Sequence, residues 1–472
     1  MSTNQVQFRR LTWLTAFTLT GAVVVVFRLS IAANMQLAAA VACLATVGCV
    51  IATVRANRRR PICLGSMYAA LFGLFHIGLL LPLAVGLPLR LLNPGDDHWA
   101  NSPGFAAAAT LIAVAECAYA IGYLLLREHP AGPPPDLQPS RRSGSDSNAA
   151  GWDGPAIVGA LLLMAGVGLW TYNAWRSGVS IIGSSYSEFL SRTSTVPTMP
   201  IAYLLMGYGP AVVSASSHRT SRQIALAVFA IWAVPAFSLG LRGEVIIPAG
   251  SYLVVAARRR SIPLRPWMAV ALVAGLAAGS AVRVLRQLGI GHGGAALASF
   301  NPLDGVTELG YSIRPLAVVS TYHDQLGERS VGITTYVAPF RRLIVGKVLG
   351  GDVTPVADDP VVFGAMIARR VGPIGGSPAA EAYRAGGLIA IVIVMLLIGL
   401  LVAAADARRT TPISNCMVGI LAFALLLWVR NDFTPVPGEL AVATVVICLV
   451  WLFEQRGRSP AKARSPELVG AP

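Results

Sequence analysis

FSLGLRGEVIIPAG, residues 237–250, is an apolar run broken in its middle by Arg242 and Glu244. A salt bridge between two spans, a turn at a membrane surface and a site for a charged substrate would all look like this locally. The rest of the chain decides between them. Apolar runs near 20 residues recur along 472 residues that are 55% hydrophobic and only 12% charged. Soluble domains carry about 25% charged residues, and a helix needs about 20 apolar residues to cross a bilayer. The chain therefore reads as an all-α polytopic integral membrane protein, a single transmembrane domain over residues 1–472.

The net charge of +15 does not imply nucleic-acid affinity, because basic residues of membrane proteins collect on the cytoplasmic side. Lys347 and Lys462 are the only lysines, so arginine carries the charge. Cys43, Cys49, Cys63, Cys117, Cys416 and Cys448 lie in or beside apolar runs with no metal-ligand spacing and read as packing residues. No metal and no cofactor is expected. The N-terminus has a signal-like shape but reads as an uncleaved first span.

The apolar runs predict about twelve transmembrane helices, near 11–27, 35–54, 62–87, 104–126, 154–175, 199–215, 223–240, 245–257, 266–282, 386–405, 414–428 and 439–453. With that count the short inner segments hold 21 basic residues and the short outer ones 6, which places both termini in the cytoplasm. Residues 127–153, rich in Pro, Ser and Gly, read as a flexible cytoplasmic linker. Residues 283–385 read as one long extracytoplasmic loop between spans nine and ten. It is partly apolar, and long structured loops are usually functional.

On this topology charge falls repeatedly at one membrane surface: Arg242 and Glu244, Arg283 and Arg286, Glu381 and Arg384, Arg430 and Asp432. Charge at such depth is costly and marks function by default. Arginine forks onto phosphate oxygens, so an anionic lipid-linked substrate fits. Ser377-Pro378 has the form of a helix start, serine as N-cap and proline in the first turn. That would aim a helix N-terminus at the same surface, where N–H groups bind anions. The plainer readings are ion pairs and anchors. Glu381 and Arg384, three apart, are placed to pair on one helix face. Glu116 would pair with another span, and Arg341, Arg342 and Lys347 would contact lipid headgroups.

The order of these segments resembles bacterial oligosaccharide repeat-unit polymerases, the Wzy-type O-antigen polymerases. LRGEVIIPAGSYLVVAARRR (241–260) resembles their Arg-Gly-Glu segment, and AVRVLRQLG (281–289) their following arginine. ELGYSIRPL (308–316) is similar to their Glu-x-Gly-x-Ser segment and GITTYVAPFRRLI (332–344) to their Gly-x-x-Tyr segment. GGSPAAEAYRAGGLIA (375–390) resembles their Ser-x-x-x-Glu-x-Tyr-x-x-x-Gly segment, though Arg384-Ala385 stands where an Asn-Phe pair is common. VRNDF (429–433) sits where they carry a late arginine.

The resemblance implies a glycosyltransferase of the cytoplasmic (inner) membrane. It would polymerise undecaprenyl-diphosphate-linked oligosaccharide repeat units into an O-antigen, capsule or exopolysaccharide at the outer face. It implies Glu308, Glu381 and Arg242 as catalytic residues, with a glutamate as base. Arg283, Arg314, Arg430, Glu244, Ser377 and Tyr383 would bind the diphosphate or glycan. The partners it implies are the lipid-linked oligosaccharide, membrane lipids, a chain-length regulator and a flippase. Two alternatives stand beside it: an O-antigen ligase-like transferase, for which His323 is the candidate histidine, and a multi-span transporter or flippase. Against the second, the two halves of the chain do not match and the charges cluster at one face.

Overall fold

The computed structural model describes residues 3–89, 91–92, 95–127, 152–179, 186–288, 301, 303–372 and 374–457. Most of the 127–153 linker, residues 289–300 with His292, and Arg458, Lys462 and Arg464 of the C-terminal tail lie outside the described residues.

The longer helices are α1 (Thr3–Val26), α2 (Met35–Ala56), α3 (Leu64–Ile77), α4 (Pro103–Leu126), α5 (Gly154–Arg176), α6 (Met199–Ser214), α7 (Arg219–Ser238), α8 (Arg242–Arg259), α9 (Pro266–Leu288), α10 (Pro378–Ala407), α11 (Pro412–Trp428) and α12 (Val436–Gly457). Among the described residues six of them, α2, α4, α5, α7, α10 and α12, are long and apolar enough to cross a membrane. The expected count of about twelve transmembrane helices is thus corrected to about six. The reason is physical. Helices α3, α6 and α11 have 14, 16 and 17 residues, short of the ~20 a spanning helix needs. Helix α8 carries Arg242, Glu244, Arg258 and Arg259 within 18 residues, and α1 carries Arg9 and Arg10.

The long extracytoplasmic loop is corrected with it. From 304 to 371 the chain forms short helices, Asp304–Leu309, Arg314–Ser320, Thr334–Arg341 and Phe363–Val371. Ile313, Leu316, Ala317, Val318 and Val319 are buried there, and Arg314–Ser320 packs on α4 and α10. The segment belongs to the body of the protein, and the span parity that put it outside no longer applies.

Helix α4 is the axis of the larger core and lies against α10, α2 and α1. Small residues let it approach closely. A Cβ at Gly122 would sit 2.2 Å from the Leu396 carbonyl oxygen, and one at Gly399 would sit 2.3 Å from that of Tyr119. Helices in lipid associate by this kind of packing, since lipid chains are as apolar as leucine. A second core joins α5, α6 and α7 around Trp170, Phe229 and Trp232. One buried carboxylate ties three helices together. Asp406 of α10 accepts from the N–H groups of Leu64 and Gly65 at the start of α3, and from Tyr123 Oη of α4.

Helix α10 is broken. Gly386 is extended (φ −167°), and Gly387 takes φ +64° with ψ −148°, a conformation open to glycine alone. The break frees carbonyls of the first half-helix, and loop N–H groups take them: Val331 donates to Arg384 at 3.2 Å and Gly332 to Ala385 at 2.9 Å. Irregular backbone inside a membrane protein survives only when re-satisfied in this way. The short half, Pro378 to Ala385, is thereby aimed independently of the long one.

Candidate active site

Helix α8 begins at Arg242, which is buried at 5% exposure. Its Nη1 donates to Glu308 Oε2 at 2.6 Å, and Glu308 is 25% exposed. The arginine thus meets a carboxylate 66 residues away, whereas the local pattern pointed to Glu244, two residues on. Glu244 is half-buried one turn into the same helix. A tight joint holds Glu308 in place: Gly305 N–H donates to Ser280 Oγ of α9 at 2.6 Å, and a Cβ at Gly305 would be 2.2 Å from the Leu276 carbonyl oxygen.

Arg430 comes to the same helix end. A Cβ at Gly243 would lie 3.2 Å from its Nη1, and one at Gly279 would lie 3.8 Å from Nη1 of Arg242. Arg430 is exposed and is positioned through its backbone, whose carbonyl accepts from Gly376 N–H at 2.9 Å. Arg283 stands one turn beyond Gly279 on α9, and its side chain lies outside the described residues.

Glu381 supports the turn that carries Arg430. It is 1% exposed. Its Oε2 accepts from Phe433 N–H at 2.9 Å and Trp428 Nε1–H at 3.3 Å, and its Oε1 accepts from Thr335 Oγ at 3.4 Å. The rings of Trp428 and Phe433 pack against one another at a tilt of 55°, and Tyr336 meets both edge-on. The expected Glu381–Arg384 pairing gives way to separate partners, since Arg384 donates to the carbonyls of Val361, at 3.1 Å, and Pro360. Ser377 occupies the N-cap position before Pro378, as expected, but its hydroxyl is not the cap. It is fully buried and bonds Nε2 of His76 at 2.7 Å.

The remaining candidates fall into flanking networks. Arg314 Nη1 lies 3.5 Å from Asp96 Oδ1 and stacks on Trp99, 5.5 Å from the ring centroid. Tyr311 and Trp99 both donate to Asp96. Tyr383 Oη donates to Asp324 at 2.6 Å; Arg28 lies 3.7 Å from that carboxylate, and His323 lies against the Tyr383 ring. Beyond it, Arg370 grips Glu328 with both nitrogens and covers Tyr322. The Arg370 hydrogen bond, assisted by its charge, holds the Glu328 carboxyl below the usual range. Glu116 is held by Thr46 and not by a cation, and Arg342 by Asp359 at 2.5 Å.

The structure therefore brings together Arg242, Glu308 and Arg430, with Glu381 and Ser377 as supports, and sets Arg314 and Tyr383 to the sides. Asp96, His76, Asp324 and Arg28 escaped sequence reasoning. Asp96 and its neighbour Trp99 in GDDHW were the one visible signal, while His76 and Arg28 sit singly within apolar runs.

A buried guanidinium group, that of Arg242, an exposed one, that of Arg430, and the Glu308 carboxylate thus meet at one helix end of a polytopic all-helical membrane protein. Residues 12–456 match the family model of the O-antigen polysaccharide polymerase Wzy, and the chain belongs to that family. No curated protein and no solved structure matches it.

Proposed function

We propose that the protein polymerises undecaprenyl-diphosphate-linked repeat units into a surface polysaccharide, at the outer face of the inner membrane. The observation that carries this reading is the meeting of Arg242, Arg430 and Glu308 at the start of α8. The family supplies the reaction class, and the arginines suit a diphosphate.

Orientation is inferred from where arginines gather. Arg58–Arg60, Arg219, Arg222, Arg258–Arg260 and Arg408–Arg409 sit at the helix ends away from Arg242. Several are knitted together: Ser261 donates to the Arg59 carbonyl, and Arg258 to that of Arg408. Basic residues favour the cytoplasm. Arg10, near the start of α1, bonds the Leu124 and Leu125 carbonyls at that same end, and a Cβ at Gly154, the start of α5 there, would lie 2.8 Å from the Val450 carbonyl oxygen near the end of α12, so the start of α1 and the end of α12 face the cytoplasm, and the site faces outward.

In the proposed mechanism the diphosphate of the donor lies across Arg242 and Arg430. It competes with Glu308 for Arg242 and so releases the carboxylate. Glu308 takes the proton of the acceptor hydroxyl as that oxygen attacks the anomeric carbon of the donor. The bond from that carbon to the diphosphate breaks, and the lipid diphosphate leaves with the electron pair. Arginines fixed in advance where negative charge develops are the largest catalytic contribution expected. Glu381, locked by three hydrogen bonds, positions the Arg430 turn. Arg314 and Tyr383 flank the site as glycan contacts, with a chain-length regulator and a flippase as partners.

The test is deletion in the native host followed by sizing of lipid-linked and surface glycans. Single repeat units should persist while long polymer vanishes, with wild type restoring it and membrane-inserted Arg242→Ala and Glu308→Gln failing. Long polymer still on its carrier would make the protein a ligase. An unchanged glycan with altered transport of a small solute would end the polymerase reading.

A further inference from the structure

Helices α8 and α11 pack together, and each has one end at the candidate active site. Their other ends, about 25 Å away at 1.5 Å rise per residue, border a cleft of about 500 Å³. Arg222, Arg259 and Arg260 line it, and no carboxylate does among the described residues. The guanidinium of Arg259 donates to the Ser214 carbonyl at 3.1 Å, and that of Arg222 to the carbonyls of Ser216 and Ser217 at 2.6 and 2.9 Å. These carbonyl contacts fix the arginines without neutralising them. Asp153, whose charge reaches Arg259, has both oxygens committed to Ala156, Ser216 and Ser217. Arg222 and Arg259 also act on one another as like charges.

The opposite wall is the start of α11, with Thr410, Thr411 and Asn415. Asn415 is 4% exposed and accepts from Arg258 Nε through Oδ1 at 3.2 Å. The same residue lines the cleft, so its amide is at hand for whatever fills it. Three guanidinium groups and a buried amide line a cavity with no acid among its described residues. Such a set lowers its own electrostatic cost by taking an anion with several acceptor oxygens.

We propose that this cleft binds a phosphate group, carried by an anionic phospholipid headgroup or free in solution, at the end of the protein opposite the Arg242 site. It rests on the α8–α11 geometry alone and stands whether or not the protein is a polymerase.

The experiment is native mass spectrometry of the delipidated full-length protein with phosphatidylglycerol, with phosphatidylcholine of the same acyl chains, and with inorganic phosphate. Wild type should retain phosphatidylglycerol over phosphatidylcholine. Arg260→Gln, which alters an exposed side chain, and Asn415→Leu should weaken that retention by about tenfold or more, the worth of one charge-assisted hydrogen bond. Saturable binding of inorganic phosphate that the same substitutions weaken, without preference among the lipids, would establish the phosphate site with a soluble source. Equal retention of both lipids, or retention that neither substitution changes, together with no phosphate binding, would overturn the proposal.

Discussion

Ser377 and His76, 301 residues apart, share a 2.7 Å hydrogen bond in a setting where neither is exposed. His76 Nδ1 lies 2.7 Å from the Phe72 carbonyl oxygen. A carbonyl can only accept, so Nδ1 carries the hydrogen and, in the neutral ring, Nε2 accepts from the serine hydroxyl. The start of α10 is thus pinned to α3 within its own helix-capping position. Ser377→Ala should strand a buried acceptor at a cost of about 1–3 kcal/mol. The purified variant should melt at lower temperature than wild type yet still make long polymer. Loss of polymer with no change in melting would instead assign the hydroxyl to the substrate.

Glu381 accepts from groups that a glutamine carbonyl also serves. Glu381→Gln should therefore keep much of the polymer, whereas Glu381→Ala should lose most of it by releasing Trp428 and Phe433. A general base behaves otherwise, because glutamine removes the base as completely as alanine and costs about 10²–10⁴ in rate. Polymer yield from the two variants, at matched membrane levels, separates positioning from proton transfer.

The break in α10 can be challenged in the same way. Gly387→Ala forces a side chain into φ +64°, with strain of about 1–3 kcal/mol. Gly386, with its extended backbone, tolerates alanine except for a 3.2 Å contact with Ala390 Cβ. Gly387→Ala should depress both melting temperature and polymer length more than Gly386→Ala. Equal effects would mean the break is not what aims the Glu381 half-helix.

Glu328 gives a pH dependence of known sign. Its folded pKa lies below the ordinary value of 4.5, first through the Arg370 hydrogen bond. Stability from this pair is therefore complete above about pH 4.5 and lost as pH falls through the lower folded value. Wild type should lose melting temperature on acidification below that point by more than Glu328→Gln does. Parallel curves would show that the pair contributes nothing.

The helical, membrane-embedded character of the chain was legible from its apolar runs, and the helix start at Ser377-Pro378 from its local chemistry. The number of crossings was not, because hydropathy does not register where tertiary contacts end a helix. The apolar run over 62–87 stops being α3 at Ile77, where Gly78 meets the Val306 carbonyl; a Cβ there would be 2.3 Å from that oxygen. The candidate site was half legible. Arg242, Glu308 and Arg430 were named from position and family order. Their mutual geometry was hidden because the Arg242–Glu308 pair spans 66 residues, and sequence offers only neighbours such as Glu244. Arg384 likewise left its neighbour Glu381 for backbone carbonyls near 360, a choice that no helical periodicity encodes.

Helix α8 carries Arg242 at its first position and Arg259 at its last, about 25 Å apart along the axis. Such a rod fixes the separation and the relative angle of the Arg242–Glu308 contact and the arginine cleft. One residue inserted near its middle would turn the two ends about 100° out of register and move them about 1.5 Å apart, so that either the contact or the cleft would have to give way.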